Sequence, residues 1–264
     1  MKFPFIVFAL SFVGLWLSAQ IGAALRKRRG VKEDEREDFG IILGATLTLL
    51  GLIIGFSFSM AISRYDQRKN YEQAEANAIG TEYLRADLLP TAEAATVRAL
   101  LRKYLDQRVL FYSTRDERQL HRLHAYTAQL QTGLWSAALA PAAMQPTPLA
   151  ALAVSGMNDV LNSEGYTQAA WWNRIPTAAW GLMTTIAICC NLLIGYGAHS
   201  AKTATLLFLV VPLVVSISFF LIADIDSPRR GIIRVVPQNL ISLSRSLHAQ
   251  QCAPPCSPKH EFQK

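Results

Sequence analysis

Charged residues are scarce in this sequence, and four long runs contain none at all. Charged residues make up 17% of the 264 residues, and hydrophobic residues make up 51%. The apolar residues are gathered into these runs instead of recurring at helix or strand spacing, which excludes an ordinary soluble globular domain. Cysteine is also rare, at four residues. Two of the four, Cys189 and Cys190, are adjacent, so no disulfide framework is predicted.

The sequence also lacks the motifs that mark common enzyme sites. It has no nucleophile elbow, no P-loop, no glycine-rich dinucleotide turn and no zinc-protease histidine pair. We therefore predict neither an enzyme nor a bound cofactor. The formal net charge is +7, and Lys and Arg lie mainly beside the apolar runs and in the central region. In a membrane protein this distribution favours anionic lipid headgroups over nucleic acid as the partner.

Four possible zinc ligands recur every four residues near the C-terminus. Pro254 and Pro255 interrupt any helix that would align them, and their spacing differs from that of known zinc sites. Chance is the favoured interpretation, so no metal site is predicted. The four residues are His248, Cys252, Cys256 and His260.

Each of the four uncharged runs is long enough to cross a bilayer as one helix. A spanning helix needs roughly 20 apolar residues, and a backbone in lipid must satisfy its own hydrogen bonds. The sequence therefore predicts an all-α protein with four transmembrane helices and a soluble helical insert between the second and the third. The predicted spans are Phe3–Leu25, Gly40–Ile62, Thr177–Ala198 and Thr203–Ala223.

These spans divide the chain into four predicted parts. Residues 1–62 form a first transmembrane hairpin, 63–175 the insert, 176–225 a second hairpin, and 226–264 a polar segment that is disordered from about residue 248. The first span also resembles a secretory signal, with Lys2 before it and Ser18 and Ala19 near its end. Because it is longer than a typical signal core, we expect an uncleaved helix.

Basic residues do not decide the orientation of this hairpin pair. Four spans place the insert and both termini on one side of the membrane and the two short loops on the other. Positive charge follows the first span closely, but a similar amount flanks the insert side of the other spans. The competing sets are Arg26, Lys27, Arg28, Arg29 and Lys32 against Arg64, Arg68, Lys69, Arg174, Arg229, Arg230 and Arg234.

The insert is predicted to contain four helices. The second span continues into solvent as a rod that ends at Pro90, and a second helix begins at Thr91. After a third helix, residues 141–148 form a loop, and Thr147 begins a fourth helix. The predicted apolar faces are Val97, Leu101, Tyr104, Leu105 and Tyr112, then Leu120, Leu123, Leu130 and Leu134, then Leu149, Leu152, Gly156, Met157, Val160 and Leu161.

The rod that follows the second span is densely charged. Its acids and bases fall at spacings of three and four residues, which favours a solvated face with salt bridges. The alternative is a basic vestibule that attracts anions, which requires the arginines to line a shared cavity. The residues concerned are Asp66, Glu72, Glu75 and Glu82 with Arg64, Arg68, Lys69 and Arg85.

Two further features are candidates for function. Thr48, Leu52 and Phe56 form one stripe of the second span, and such stripes from several subunits can build an apolar constriction, although ordinary packing is favoured by the pattern alone. A second candidate is the turn after the fourth span, where two carboxylates could hold calcium. Calcium takes six to eight oxygen ligands, which two acids alone do not supply, and neutralisation by the arginines is favoured. This turn contains Asp224, Asp226, Ser227, Pro228, Arg229, Arg230 and Gly231.

Seven segments spread over the chain from Gly40 to Leu243 carry a family resemblance. They are residues 55–66 (GFSFSMAISRYD), 75–81 (EANAIGT), 84–85 (LR), 88–90 (LLP), 102–104 (RKY), 174–176 (RIP) and 223–231 (ADIDSPRRG). These segments resemble the bestrophin-like family of bacterial membrane proteins, long known only as a domain of unknown function. A weaker resemblance to bestrophin anion channels rests on the order of spans and insert, and on Gly55-Phe56 followed by Ser63-Arg64-Tyr65.

The resemblance to bestrophin anion channels implies a pentameric channel for small inorganic anions such as chloride, with a cytoplasmic insert and cytoplasmic termini. The resemblance to bacterial membrane proteins implies the bacterial inner membrane. The resemblance to the channels also implies a pore neck at Thr48, Leu52 and Phe56. The basic residues beside this span, Arg64, Arg68 and Lys69, are the candidate pore mouth that would attract anions. Thr48 stands where the family has an apolar residue. Arg229 and Arg230 stand near the position of the acidic calcium cluster of animal members, so calcium activation is not expected.

Two functional hypotheses follow. The first is an oligomeric channel, most simply a homo-oligomer in the lipid bilayer, that concentrates small anions at basic mouths and passes them through an apolar neck. The second is a non-conducting scaffold or sensor, in which the spans anchor an insert that binds a partner. The second hypothesis remains open because a shared fold does not transmit a function.

Overall fold

A computed structural model describes residues 2–29, 35–198 and 201–252. The prediction of an all-α protein is confirmed, since these residues form α-helices joined by short turns and contain no strand. The helices are α1 Lys2–Arg29, α2 Glu35–Arg85, α3 Thr91–Ser113, α4 Glu117–Met144, α5 Pro148–Trp172, α6 Thr177–Gly197, α7 Ala201–Asp226 and α8 Gln238–Cys252, with a 3-10 turn at Ala86–Leu88.

Four helical stretches among the described residues are long and apolar enough to cross a membrane. They are Pro4–Arg28, Phe39–Leu88, Pro148–Gly197 and Leu206–Asp226. The chain itself divides into two compact units. We call residues 2–66 and 171–234 the apolar unit, and residues 67–170 and 235–252 the insert unit.

The apolar unit is built around contacts of α1, α2, α6 and α7. Its main cluster of buried side chains includes Leu15 from α1, Leu50 from α2, Met183 from α6 and Phe219 from α7. A smaller cluster contains Ala19, Ile194 and Phe208. Pro212 lies inside α7, and the helix continues on both sides of it.

Small residues allow α1 and α6 to approach closely. A Cβ atom on Gly22 would overlap the backbone of Leu192, and one on Gly195 would overlap the backbone of Ala19. Close backbone approach through small residues is a common way to pack helices where lipid removes the usual hydrophobic driving force. The Ser18 hydroxyl adds a hydrogen bond of 2.8 Å to the Ile188 carbonyl.

The insert unit confirms the predicted start and apolar face of α3. The rod ends in the 3-10 turn, Pro90 follows, and α3 begins at Thr91. All five predicted face residues of α3 are buried. The start of α5 is also as predicted, because the Thr147 hydroxyl accepts a hydrogen bond of 3.1 Å from the Ala150 amide.

Three expectations for the insert and tail are wrong in part. The predicted loop at 141–148 is mostly helical, because α4 continues through Pro141 to Met144 and shortens the loop. On α5, Met157 and Val160 are buried, but Leu149 and Leu152 are exposed. The predicted disorder from residue 248 does not apply up to residue 252, because α8 extends to Cys252 and buries its apolar side at Leu240 and Leu247.

We expect Gly195→Leu to destabilise the protein by at least about 2 kcal/mol, because the added side chain must separate α1 from α6. Gly181→Leu is the matched control, since it lies on the same helix and its Cβ would meet nothing within 4 Å. The measurement is the thermal unfolding midpoint of each variant in detergent. Equal midpoints for the two variants would contradict the close approach.

Candidate functional site

The predicted neck residues lie on an exposed face of α2. Leu52 is 53% exposed and Phe56 is 62% exposed, so neither is used to pack the chain on itself. Thr48 is also exposed, and its hydroxyl donates a hydrogen bond of 2.9 Å to the Gly44 carbonyl of its own helix. Because this bond occupies the hydroxyl hydrogen, the Thr48 side chain is less polar toward its surroundings than one with a free hydroxyl.

The exposed face continues beyond the neck residues toward the end of the apolar unit. At about 3.6 residues per turn, Ser59, Ser63 and Asp66 lie on the same side of α2 as Thr48 and Leu52, and all of them are exposed. We call these six residues the α2 stripe: Thr48, Leu52, Phe56, Ser59, Ser63 and Asp66. The opposite side of the helix is buried in the apolar unit, at Leu50, Ser57 and Ala61.

The predicted basic mouth is mostly not exposed. Arg64 is 17% exposed and lies on the other side of α2, where Nη1 is 3.7 Å from Oδ1 of Asp226. Arg68 is 1% exposed, and its Nε donates a hydrogen bond of 3.2 Å to the Ala170 carbonyl. The expectation that Arg68 faces an aqueous mouth is therefore wrong for this chain. Only Lys69 of the predicted mouth is exposed.

The turn after α7 is held by its own carboxylates. Asp224 accepts hydrogen bonds from the Ile232 amide at 2.7 Å and the Ile233 amide at 2.8 Å. Asp226 accepts from the Ile175 amide at 3.1 and 3.2 Å, in addition to its ion pair with Arg64. Backbone amides therefore supply several of the hydrogen bonds that these two acids accept.

The remaining residues of this turn also have structural roles. Pro228 is buried, and the guanidinium of Arg229 lies 4.3 Å from the ring centre of Trp171. Gly231 is required because a Cβ would overlap the Asp224 carbonyl oxygen. Arg230 is exposed. The described residues contain no group of three or more His, Cys, Asp or Glu side chains arranged to hold a metal ion.

The charged rod of the insert unit is not a solvated face, which corrects the sequence interpretation. Glu75 is 0% exposed, and its carboxylate accepts from Arg108 Nε, from the Arg108 Nη2 at 3.4 Å and from the Thr167 hydroxyl at 3.1 Å. The Tyr112 hydroxyl donates to the same carboxylate at 3.4 Å. Arg108 also contacts Glu164 at 3.5 Å. Burial, and then the neighbouring Glu75 carboxylate, raise the pKa of the Tyr112 hydroxyl above its ordinary value, so it remains a donor.

Glu72 attaches α8 to the rod. Its carboxylate accepts hydrogen bonds from the Leu240 amide at 2.9 Å and the Asn239 side chain at 2.6 Å, both in the first turn of α8. A carboxylate at a helix N-terminus satisfies free amides and is favoured by the helix dipole. The other attachment uses Asp106, which accepts from the Ser244 hydroxyl at 3.1 Å and lies 3.6 Å from Nε2 of His248. Cys256 and His260 lie outside the described residues.

Among the described residues of the rod, Glu82 is the buried carboxyl that has no hydrogen bond. It is fully buried, and neither of its oxygens has a partner among the described residues. The carboxyl lies against Gly156, where any Cβ would overlap it. Burial raises the pKa of Glu82 to about 8, Arg85 lowers it in part, and Asp159 raises it further. The residue is therefore mainly protonated at neutral pH.

The comparisons with known proteins agree with this architecture. The family model of the bestrophin-like domain matches residues 5–240, which is most of the sequence. The chain belongs to the bestrophin-like family. As a bestrophin-like protein with four helices apolar enough to cross a bilayer, it is an integral membrane protein. None of the curated proteins matches this sequence.

Solved structures similar to this bestrophin-like chain include bacterial bestrophin homologues. A homologue from Klebsiella pneumoniae has a TM-score of 0.67 and 12% identity, covering 95% of this chain and 99% of that chain. A single-substitution variant of a Klebsiella pneumoniae homologue has a TM-score of 0.65 and 14% identity, with the same coverage. A structure described as a membrane protein has a TM-score of 0.66 and 14% identity, covering 93% and 97%. At these identities the likeness establishes the fold.

Replacing Glu75 with Ala is expected to cost about 3–5 kcal/mol, because it leaves the buried Arg108 guanidinium without its main partner. The matched control is Glu164→Ala, which removes a longer and more exposed contact to the same arginine and is expected to cost about 1 kcal/mol or less. The unfolding midpoint of the full chain in detergent measures both. Equal losses would show that the Glu75 pair is not the dominant one.

The Glu82 carboxyl predicts a pH dependence of stability. In the folded protein the Glu82 carboxyl keeps its proton up to about pH 8, whereas in the unfolded chain it releases the proton near its ordinary pKa of 4.5. The free energy of unfolding should therefore fall as pH rises through this window, because the folded state binds more protons. Glu82→Gln should flatten that slope, and Asp87→Asn, at an exposed acid, should not. The measurement is the unfolding midpoint from pH 4.5 to 9, and unchanged slopes in Glu82→Gln would contradict the assignment.

Proposed function

We propose that this bestrophin-like protein is an oligomeric ion channel whose pore is lined by the α2 stripe. The observation that carries the proposal is the exposure of a continuous, mainly uncharged face of α2 opposite to its packed face. Leu52 and Phe56 are large apolar side chains that the chain does not cover by itself. A face of this kind is suited to line a narrow passage formed with other copies.

An oligomer is needed because one chain supplies only one such helix. Several copies of α2, arranged around an axis, would bring the same residues together as rings, as closed symmetry requires of identical subunits. The family resemblance implies five copies. In this arrangement Phe56 and Leu52 form an apolar neck, and the internally bonded Thr48 hydroxyl makes the third ring less polar than the residue type alone indicates.

The location of the channel follows the same resemblance. We propose the bacterial inner membrane, with the insert and both termini in the cytoplasm. The long uncharged helices support a multi-pass arrangement in which α1, the apolar half of α2, α6 and α7 cross the bilayer. The basic loop between the first two spans then lies on the outer side, against the positive-inside rule.

The identity of the permeant ion depends on the charges that line the route. The resemblance implies small inorganic anions such as chloride, which basic mouths would concentrate. Of the three mouth residues only Lys69 is exposed in this chain, while Arg64 and Arg68 are used in internal contacts. Support for anions therefore rests on the family and on Lys69.

A scaffold or sensor is the second candidate function. The insert unit has its own polar core, and a groove of about 500 Å³ lies between its part of α2 and α8. The groove is lined by uncharged polar residues such as Asn77, Thr81, Ser242 and Gln250. The absence of ion conduction, together with binding of a partner to the insert, would favour this function.

The test of the pore is ion flux from liposomes containing the purified protein. We expect Phe56→Ala and Leu52→Ala to raise flux or change its ion dependence several-fold, because a smaller side chain widens and wets an apolar neck. Leu182→Ala is the matched control, since Leu182 on α6 is as exposed as Leu52 and lies outside the α2 stripe. Flux that responds equally to all three substitutions would argue against the α2 stripe as the neck. A stable ring of subunits without flux would favour the scaffold.

A further inference from the structure

The charges near the neck of α2 differ in where they point. From residue 39 to residue 66 the helix contains two charged residues, Arg64 and Asp66. Arg64 faces the packed side of the apolar unit, where it pairs with Asp226 at 3.7 Å. Asp66 is exposed and makes no ion pair or hydrogen bond with the residues that the structure describes. The exposed face therefore carries negative charge where the sequence suggested positive charge.

The position of Asp66 is in line with the neck residues. Thr48 and Asp66 are five helical turns apart at about 3.6 residues per turn, so their side chains leave α2 in the same direction. Asp66 lies about 15 Å beyond Phe56 along the helix axis, at a rise of about 1.5 Å per residue. The exposed hydroxyl residues Ser59 and Ser63 occupy the two turns between them.

We propose that Asp66 sets the ion preference of this protein and makes it favour small inorganic cations over anions. The inference rests on the proposed pore, in which every copy contributes the same stripe. The α2 stripe then presents an apolar neck, two rings of hydroxyl oxygens and a ring of carboxylates in succession.

The physical basis is the field of a ring of like charges at a narrow passage. Several carboxylates close together raise the local concentration of cations and repel anions before they reach the neck. The oxygens of Ser59, Ser63 and Asp66 are also the ligand type that hard cations prefer as they lose part of their hydration. One basic side chain that could oppose this field is Lys69, which follows three residues later on the same helix and is exposed.

The experiment measures the reversal potential of the full-length protein in planar bilayers across a potassium chloride gradient. We expect the wild type to prefer potassium, Asp66→Asn to reduce the potassium-to-chloride permeability ratio about tenfold, and Asp66→Lys to invert it. Asp66→Glu should keep the preference. Lys69→Gln is the matched control, and it should leave or increase the preference for potassium because it removes the opposing charge.

Salt dependence separates a charge effect from a change of shape. Screening shortens from about 30 Å at 0.01 M to about 3 Å at 1 M. The potassium preference of the wild type and of Asp66→Glu should therefore decline steeply as salt rises, whereas a preference due to pore diameter would not. If Asp66→Asn does not assemble, the salt dependence of the wild type and of Asp66→Glu still tests the proposal. A potassium preference that does not change with salt concentration overturns it.

The outcomes also distinguish this inference from the proposed channel. A conducting wild type that prefers chloride, or whose ratio is unchanged in assembled Asp66→Asn, overturns the role of Asp66 and leaves the channel intact. A correctly assembled wild type that conducts neither ion overturns both. Gel filtration of each variant beside the wild type establishes assembly before the currents are compared.

Discussion

The buried acids of α2 organise the insert unit. Glu72, Glu75 and Glu82 recur on the helix at spacings that place them on one side, and each is buried against a different part of the unit. Glu75 binds Arg108 of α3 and Thr167 of α5, and Glu72 binds the first turn of α8. A carboxylate cannot be buried cheaply without such partners, so α3, α5 and α8 must be in place for this helix to be stable.

The three acids solve the same problem in different ways. Glu75 is compensated by an arginine and two hydroxyls, which makes its network specific but costly to break at either end. Glu72 is compensated mainly by the amides and the dipole at the start of α8. Glu82 accepts no hydrogen bond from the described residues. Its raised pKa means that it is buried in the protonated, uncharged form. This solution couples stability to pH near neutrality.

The same helix carries the features that bear on function. Its arginines near the end of the apolar unit are used internally, Arg64 on Asp226 and Arg68 on the Ala170 carbonyl. The exposed charges left near this point are then those of Asp66 and Lys69. A resemblance to anion channels and the counting of basic residues both predict a positive mouth, but selectivity depends on which side of the helix each charge occupies. The turn at Asp224 and Asp226 is similarly explained by backbone amides, which leaves little free charge for a bound cation.

Local rules were sufficient for most of the helices and for the family of this protein. Uncharged runs longer than a bilayer, the Pro90 and Thr91 junction, the Thr147 cap and the period of the α3 face all depend on neighbours within one or two turns. The burial of Glu75 depended instead on Arg108 and Thr167, which lie far away in sequence. A spacing of three and four residues is the same for a solvated salt-bridged rod and for a buried polar face. The sequence therefore determined where most of the helices are, although not the extension of α4 to Met144 or the presence of α8. Only the tertiary structure decided which charges of α2 face inward, because their partners come from other helices.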